Sequence, residues 1–221
     1  MLGRGTGGPS FAGVSSDVRV WNNINPLGAN GSAFVTASAA QAAGVFELTN
    51  RNNMAVWLCD KLARTQLDTV DLTLVALGGG QISYWAPGEV TWPMLNECTS
   101  VWAATSQGPA DVFFWHQGEA DLATAPSSYR SQFEALLTNL IAAGVISAST
   151  IILLGGIAEN TAQKISFNRD CLFPLSERPL RAYVNSYGLV TVGDAFHFSG
   201  PDLAAFGYRR AFSSYLFARG K

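Results

Sequence analysis

The sequence predicts an α/β fold, a three-layer α/β/α sandwich in which a mostly parallel sheet is covered by helices on both faces. Short β-rich apolar runs alternate along the chain with segments of helical apolar spacing, and that order favours parallel strands joined by helical crossovers. The chain has 221 residues, 48% of them hydrophobic and 14% charged, enough to bury one sizeable core. A single domain over residues 1–221 is expected.

The first fifty residues hold most of the Gly, Asn and Ser, with one β-like stretch at Asp17–Trp21 and turn signals at Asn25-Pro26 and Asn30-Gly31. Met54, Trp57, Leu58 and Leu62 then recur at helical spacing, and Asn50 or Asn52 can cap that helix. It leads into a strand over Val70–Leu77. Asp111–Trp115 reads as a second buried strand. Tyr129, Phe133, Leu136, Leu137 and Leu140 form the apolar face of a helix that stops at Gly144. A third strand follows at Thr150–Leu154, then a helix over about 160–172, strand-like Arg181–Val184 with Leu189–Val192, and a final helix from Pro201. Ala204, Gly207 and Ala211 make a small-residue stripe that would let this helix approach the sheet closely.

A formal charge of −2 offers no long-range attraction for phosphate backbones or anionic lipid, so no nucleic acid and no membrane partner is expected. Val70–Leu77 and Ile151–Leu154 are far shorter than the roughly 20 residues of a membrane span. Met1 to Pro9 is glycine-rich and lacks the apolar stretch of a signal peptide, so secretion through such a signal is not expected. Cys59, Cys98 and Cys171 are odd in number and widely spaced, and read as small buried hydrophobes.

Ligands of such sheets bind at the carboxyl ends of the strands. Three loops fall there. Asp194-Ala195-Phe196-His197 sets a carboxylate three residues before one of only two histidines, a spacing at which the aspartate can hold one ring nitrogen and leave the other as a general base. A lone loop histidine also has a purely structural interpretation. Gly78-Gly79-Gly80 can aim backbone N–H groups at an oxyanion, or can be a plain tight turn. It is not a dinucleotide fingerprint, because Ser83 stands where the third glycine belongs, and the absence of Gly-Lys-Ser/Thr excludes a P-loop. Trp115-His116-Gln117-Gly118-Glu119-Ala120-Asp121 crowds polar groups at a strand end, where they must bond each other or a ligand. Gln117 offers an amide to an oxyanion hole, whereas Glu119 and Asp121 suit capping and loop support. With no second histidine cluster, neither a metal nor an organic cofactor is expected.

Together the loops resemble the SGNH-hydrolase superfamily, whose fold is flavodoxin-like, and within it the sialate O-acetylesterase-like carbohydrate esterases, some of which occur in phage genomes. The resemblance rests on three motifs in order. Gly-Gly-x-x-Ile-x-x-Trp follows a strand at Gly78-Gly79-Gly80-Gln81-Ile82-Ser83-Tyr84-Trp85; Trp-x-Gln-Gly-Glu-x-Asp runs from Trp115 to Asp121; Asp-x-x-His-Phe runs from Asp194 to Phe198, ahead of Gly207-Tyr208-Arg209. It implies Ser-His-Asp hydrolysis of O-acetyl groups on a carbohydrate, with His197 as general base, Asp194 as its orienting partner, and Gly79 and Gln117 as oxyanion donors. Glu119 would organise the loop, supported by Gly78 and Trp115. The implied partner is an acetylated carbohydrate, with a homo-oligomer or other phage virion proteins as further candidates.

The resemblance departs at the front. The family's nucleophile stands in Gly-Gln-Ser-Asn, and Met1-Leu2-Gly3-Arg4-Gly5 looks like the continuation of that motif, so the serine and its strand are expected ahead of Met1, with a protein that has lost its nucleophile as the alternative. Ser10, Ser15 and Ser16 are nearest by position but lack the strand-to-turn setting of a nucleophile. Each buried unpaired ladder group costs on the order of 1–3 kcal/mol, so the slot of that first strand should be filled. Either a rebuilt N-terminal segment, with Asp17–Trp21 as its best β-former, or a strand of another chain is expected there. The competing functional classes are a noncatalytic carbohydrate-binding or virion-structural protein that keeps the esterase fold, and an unrelated small-molecule-binding α/β domain.

Overall fold

Residues 11–21, 33–42, 53–66 and 68–220 are described by the computed structural model. Met1 to Ser10, the two turn signals, and Asn50 and Asn52 lie outside them. The strands are β1 (Val18–Trp21), β2 (Phe34–Thr36), β3 (Val70–Leu72), β4 (Ala110–Trp115), β5 (Ile146–Gly155) and β6 (Arg181–Val184). The helices are α1 (Ala37–Ala42), α2 (Met54–Gln66), α3 (Trp92–Thr105), α4 (Pro126–Ala142), α5 (Ala162–Phe167), α6 (Phe173–Leu175), α7 (Gly200–Ala205) and α8 (Phe212–Arg219). They fall into two compact units, Met1–Ala76 with Ser186–Ser213 and Leu77–Asn185 with Ser214–Lys221.

In the first unit the sheet order is β2-β1-β3, with β1 antiparallel to β2 and parallel to β3. Asp17–Trp21, expected as a β-former, thus supplies the central strand. Val18 and Val20 point into a core shared with Phe11, Ala37, Ala40, Val56, Trp57, Cys59, Ala63 and Ala204, while Arg19 faces out and meets Asp71 across the strands. The strand expected over Val70–Leu77 stops at Leu72, because its register against β1 runs only from Val18↔Val70 to Val20↔Leu72. The α2 helix starts on Asn53, whose side-chain oxygen accepts from Ala55 N–H at 2.8 Å. Asp60, buried on α2, accepts from Ser15 N–H at 2.8 Å and from Arg64 Nε at 2.9 Å, and Arg64 Nη2 donates to Gly13 O at 2.6 Å. These bonds fasten the segment before β1 to the helix. Ser15 Oγ is itself engaged, donating to Asp17 Oδ2 at 3.0 Å.

The final helix is interrupted by a π-helical turn over Phe206–Ala211. At Gly207 its small-residue stripe admits α2, since a Cβ there would lie 1.9 Å from Met54 O and 2.9 Å from Trp57 Cβ, while Ala204 of the same stripe joins the core that holds Val18 and Val20 of β1. Leu189–Val192 forms no strand. Only Thr191 bridges Phe198, with Val192 N–H on His197 O and Ser199 N–H on Val190 O, both at 2.8 Å, so the segment folds back along the histidine loop. Ser199 caps α7 through its hydroxyl, as Asp202 N–H donates to it.

In the second unit β4, β5 and β6 are all parallel, in that order. Residues 150–155 of β5 are continuously buried, the pattern of a strand covered on both faces. Tyr129, Phe133, Leu136, Leu137 and Leu140 are buried as their spacing predicts, and Glu134 of α4 receives a two-pronged bond from Arg181 of β6 at 2.7 and 3.0 Å. The helix ends in a Schellman motif: Gly144 at φ +76° donates to Ile141 O, and Val145 donates to Leu140 O. The α3 helix was not anticipated. The expected helix over 160–172 is divided into α5, a π-helical turn at Asn168–Leu172, and α6. Buried Asn168 bonds Ile157 N–H at 3.0 Å and Ile157 O at 2.9 Å, which holds the loop after β5.

All three cysteines are buried, and none of them forms a disulfide among the described residues. Burial pushes the Cys59 thiol up to about 12 and that of Cys171 to about 11. None of the described helices is long and apolar enough to cross a membrane.

Candidate active site

The loop carrying His197 belongs to the first unit. Gly193 at φ +77° and Ala195 at φ +64° curl the backbone so that the Asp194 carboxylate turns back on its own chain. Oδ1 accepts from Phe196 N–H and His197 N–H, both at 2.9 Å, and Oδ2 lies 2.5 Å from His197 Nδ1. Partial burial opposes ionisation of Asp194, but the two backbone N–H groups and the imidazole outweigh it and hold the carboxyl near 2. The side chains of His197 and Asp194 are 22% and 42% exposed, while the following Phe198 is fully buried and anchors the loop. With Nδ1 directed at a carboxylate, Nε2 is the nitrogen left for proton transfer. Among the described residues no hydroxyl hydrogen-bonds the ring.

The other two motifs belong to the second unit and meet each other there. Gly79 takes φ +70°, a conformation open to glycine, and among the described residues neither Gly78 N–H nor Gly79 N–H has an acceptor. The turn is held by Gly80 N–H on Leu77 O at 3.4 Å and by Gln117, whose Nε2 donates to Gly80 O at 3.0 Å. Gln117 Nε2 also donates to Asp121 Oδ2 at 2.5 Å, so both amide protons are engaged. Its Oε1 accepts from Tyr129 Oη at 2.9 Å, and Trp115 Nε1 donates to Tyr129 Oη at 3.1 Å. These partners fix the amide orientation, since Nε2 faces two acceptors and Oε1 faces a hydroxyl. Burial keeps the Tyr129 hydroxyl protonated, its pKa well above the ordinary value. Trp115 also packs edge-on against Trp85, with ring centroids 5.2 Å apart, so the two tryptophans of the motifs join below the loops.

Asp121, expected only to cap its loop, does more. Besides Gln117 it accepts from Ile82 N–H at 2.8 Å and from Thr124 Oγ1 at 3.0 Å. Glu119 lies with Oε1 buried and, among the described residues, without a hydrogen-bond partner, 3.6 Å from His116 Nε2, while His116 Nδ1 is 3.2 Å from Gly155 O. Glu119 thus lies beside the imidazole that follows β4. The sequence missed Tyr129 as a polar participant, because its position on an apolar helical face hides the hydroxyl. Among the described residues, no group of three or more His, Cys, Asp or Glu is arranged to hold a metal ion.

The family model for carbohydrate esterases, sialic acid-specific acetylesterases, matches residues 4–215. The chain belongs to that family. Its members are SGNH-type carbohydrate esterases, which makes acetylated sugars the substrate class that membership implies. A protein from Arabidopsis thaliana, solved by X-ray diffraction, is 16% identical, with a TM-score of 0.77 over 98% of this chain and 93% of that one. At that identity the likeness concerns the fold alone, and it agrees with a parallel sheet flanked by helices. No curated protein matches.

Proposed function

We propose that the protein removes O-acetyl groups from a carbohydrate by serine-esterase chemistry. A serine hydroxyl attacks the acetyl carbonyl and passes its proton to His197 Nε2. The negative charge on the carbonyl oxygen is met by Gly79 N–H and the Gln117 amide; the sugar hydroxyl leaves with the proton from His197; water then attacks the acetyl-serine by the same route and releases acetate. Asp194 holds the imidazole in the required tautomer and stabilises its charged form.

The Asp194–His197 geometry carries this reading: a carboxylate locked by two backbone N–H groups faces Nδ1 at 2.5 Å. The open Gly79 N–H supports the oxyanion role. A second reading, sugar binding without hydrolysis, is favoured by the lack of a hydroxyl bonded to His197 among the described residues.

The two are separated by measuring acetate release from O-acetylated sugars and from an aryl acetate, using the protein as its gene encodes it. Turnover that His197→Ala abolishes supports hydrolysis. Absence of turnover combined with calorimetric binding of the acetylated sugar would establish the second reading instead.

A further inference from the structure

Asp121 is 3% exposed and has no ion-pair partner among the described residues, yet its carboxylate accepts three hydrogen bonds. Two of its three donors lead to the glycine turn. Ile82 N–H comes directly from the segment that follows Gly79, at 2.8 Å. Gln117 Nε2, at 2.5 Å, uses its other proton to hold Gly80 O at 3.0 Å. The carboxylate therefore grips the turn at Gly80 through the amide and at Ile82 through the backbone, on either side of Gln81. The third donor, Thr124 Oγ1 at 3.0 Å, ties the same carboxylate to its own loop, whose shape is set by Asp121 N–H on Gly118 O and Thr124 N–H on Asp121 O.

We propose that Asp121 is a positioning residue for the oxyanion side of the site. It touches no reacting atom; it fixes the direction of Gly79 N–H and holds the Gln117 amide by one proton while the other is exchanged from Gly80 O to the oxyanion. The division between the two protons follows from their acceptors. The bond to the carboxylate is the shorter, at 2.5 Å, and is kept, whereas the bond to the carbonyl is longer, at 3.0 Å, and yields to an anion. Tyr129 Oη on Gln117 Oε1 prevents the amide from rotating during the exchange. This assignment rests on the esterase reading, so its test includes an arm that does not depend on turnover.

Asp121→Ala should lower kcat for an aryl acetate on the order of 10²-fold with KM altered less than about threefold, as expected when donors are displaced by about an ångström. Asp121→Asn should restore most of it, because an amide oxygen in the place of Oδ2 accepts both N–H bonds and its NH₂ group donates to Thr124 Oγ1. In combination with Gln117→Ala, Asp121→Ala should cost less than it does in the parent, since the share that acts through the amide is already lost and only the Ile82 bond remains to be broken. Full additivity, or equal losses in Asp121→Ala and Asp121→Asn, overturns the proposal.

The second arm is amide hydrogen exchange by NMR. The Gln117 side-chain NH₂ and the Ile82 N–H should exchange slowly in the parent and in Asp121→Asn, and at least tenfold faster in Asp121→Ala, while β5 amides keep their protection. Unchanged exchange at those sites overturns the proposal even where no turnover is detected. Loss of His197-dependent turnover in the parent removes the esterase reading alone. If Asp121→Ala does not fold, Asp121→Ser, whose hydroxyl cannot accept both N–H groups in place, takes its part in both arms.

Discussion

Around Asp194 the hydrogen bonds that fix the carboxylate reach two or three residues along the chain, and the side chains stand partly in solvent. Around Gln117 and Asp121 the bonds reach from 3 to 39 residues, and both side chains are buried. The side chains of Asp194 and His197 can be altered without opening a core. Those of Gln117 and Asp121 are part of the core, so the oxyanion side of the proposed site is coupled to folding in a way that the proton-transfer side is not. Substitutions should therefore separate activity from stability in one loop and merge them in the other.

The largest effect belongs to the exposed loop. His197→Ala should reduce aryl acetate turnover by a factor on the order of 10³ or more while thermal unfolding stays within about 2 °C of the parent. A large drop in melting temperature would break the contrast. Tyr129→Phe tests the buried side: it deprives Trp115 Nε1 of its acceptor and Gln117 Oε1 of its donor, and should destabilise by about 1–3 kcal/mol in denaturant titrations with an unchanged m value. A change under about 0.5 kcal/mol would show that the network is not tightly coupled to folding.

Asp194 gives a pH signature. Its carboxyl is held near 2 against an ordinary 3.8, so its contribution to stability is complete above the ordinary value and is lost as pH falls through about 2. Because the group is largely in solvent, the energetic share is small, and the sharper measurement is an NMR titration of the carboxyl carbon. A midpoint near 2 sustains the backbone clamp; a midpoint near 4 would mean that it is absent in solution. The smallest expected change is Ala195→Gly. The left-handed conformation at φ +64° costs a non-glycine residue roughly 1 kcal/mol, partly offset by the greater unfolded-state freedom of glycine, so a net gain on the order of 0.5 kcal/mol is expected by differential scanning calorimetry.

The same contrast of local and distant bonds governs how far the sequence could be read. Asp194 and His197 were legible because the contact that unites them is an i to i+3 contact, and α4 was legible because its five buried apolar residues recur at helical spacing. The role of Asp121 was not, since its donors Ile82 and Gln117 lie on two separate loops. The α3 helix was hidden by its composition: Trp92 and Trp102 add apolar residues away from the buried Met94, Leu95, Cys98 and Val101, which blurs the stripe. The π-helical turns at Asn168–Leu172 and Phe206–Ala211 each widen a helix locally, a departure that a 3.6-residue period does not reveal. Leu189–Val192 has β-forming residues but pairs only with the histidine loop, where Val190 remains 63% exposed. Its apolar character overstated its burial.

The three buried thiols provide a native clock. Cys59 belongs to the first unit, and Cys98 and Cys171 to the second. At neutral pH a thiol held near 12 or 11 is almost wholly protonated as well as covered, so an alkylating reagent must wait for the surrounding structure to open. Mass-resolved labelling of each cysteine would then count opening events separately in the two units, without adding a probe to either loop.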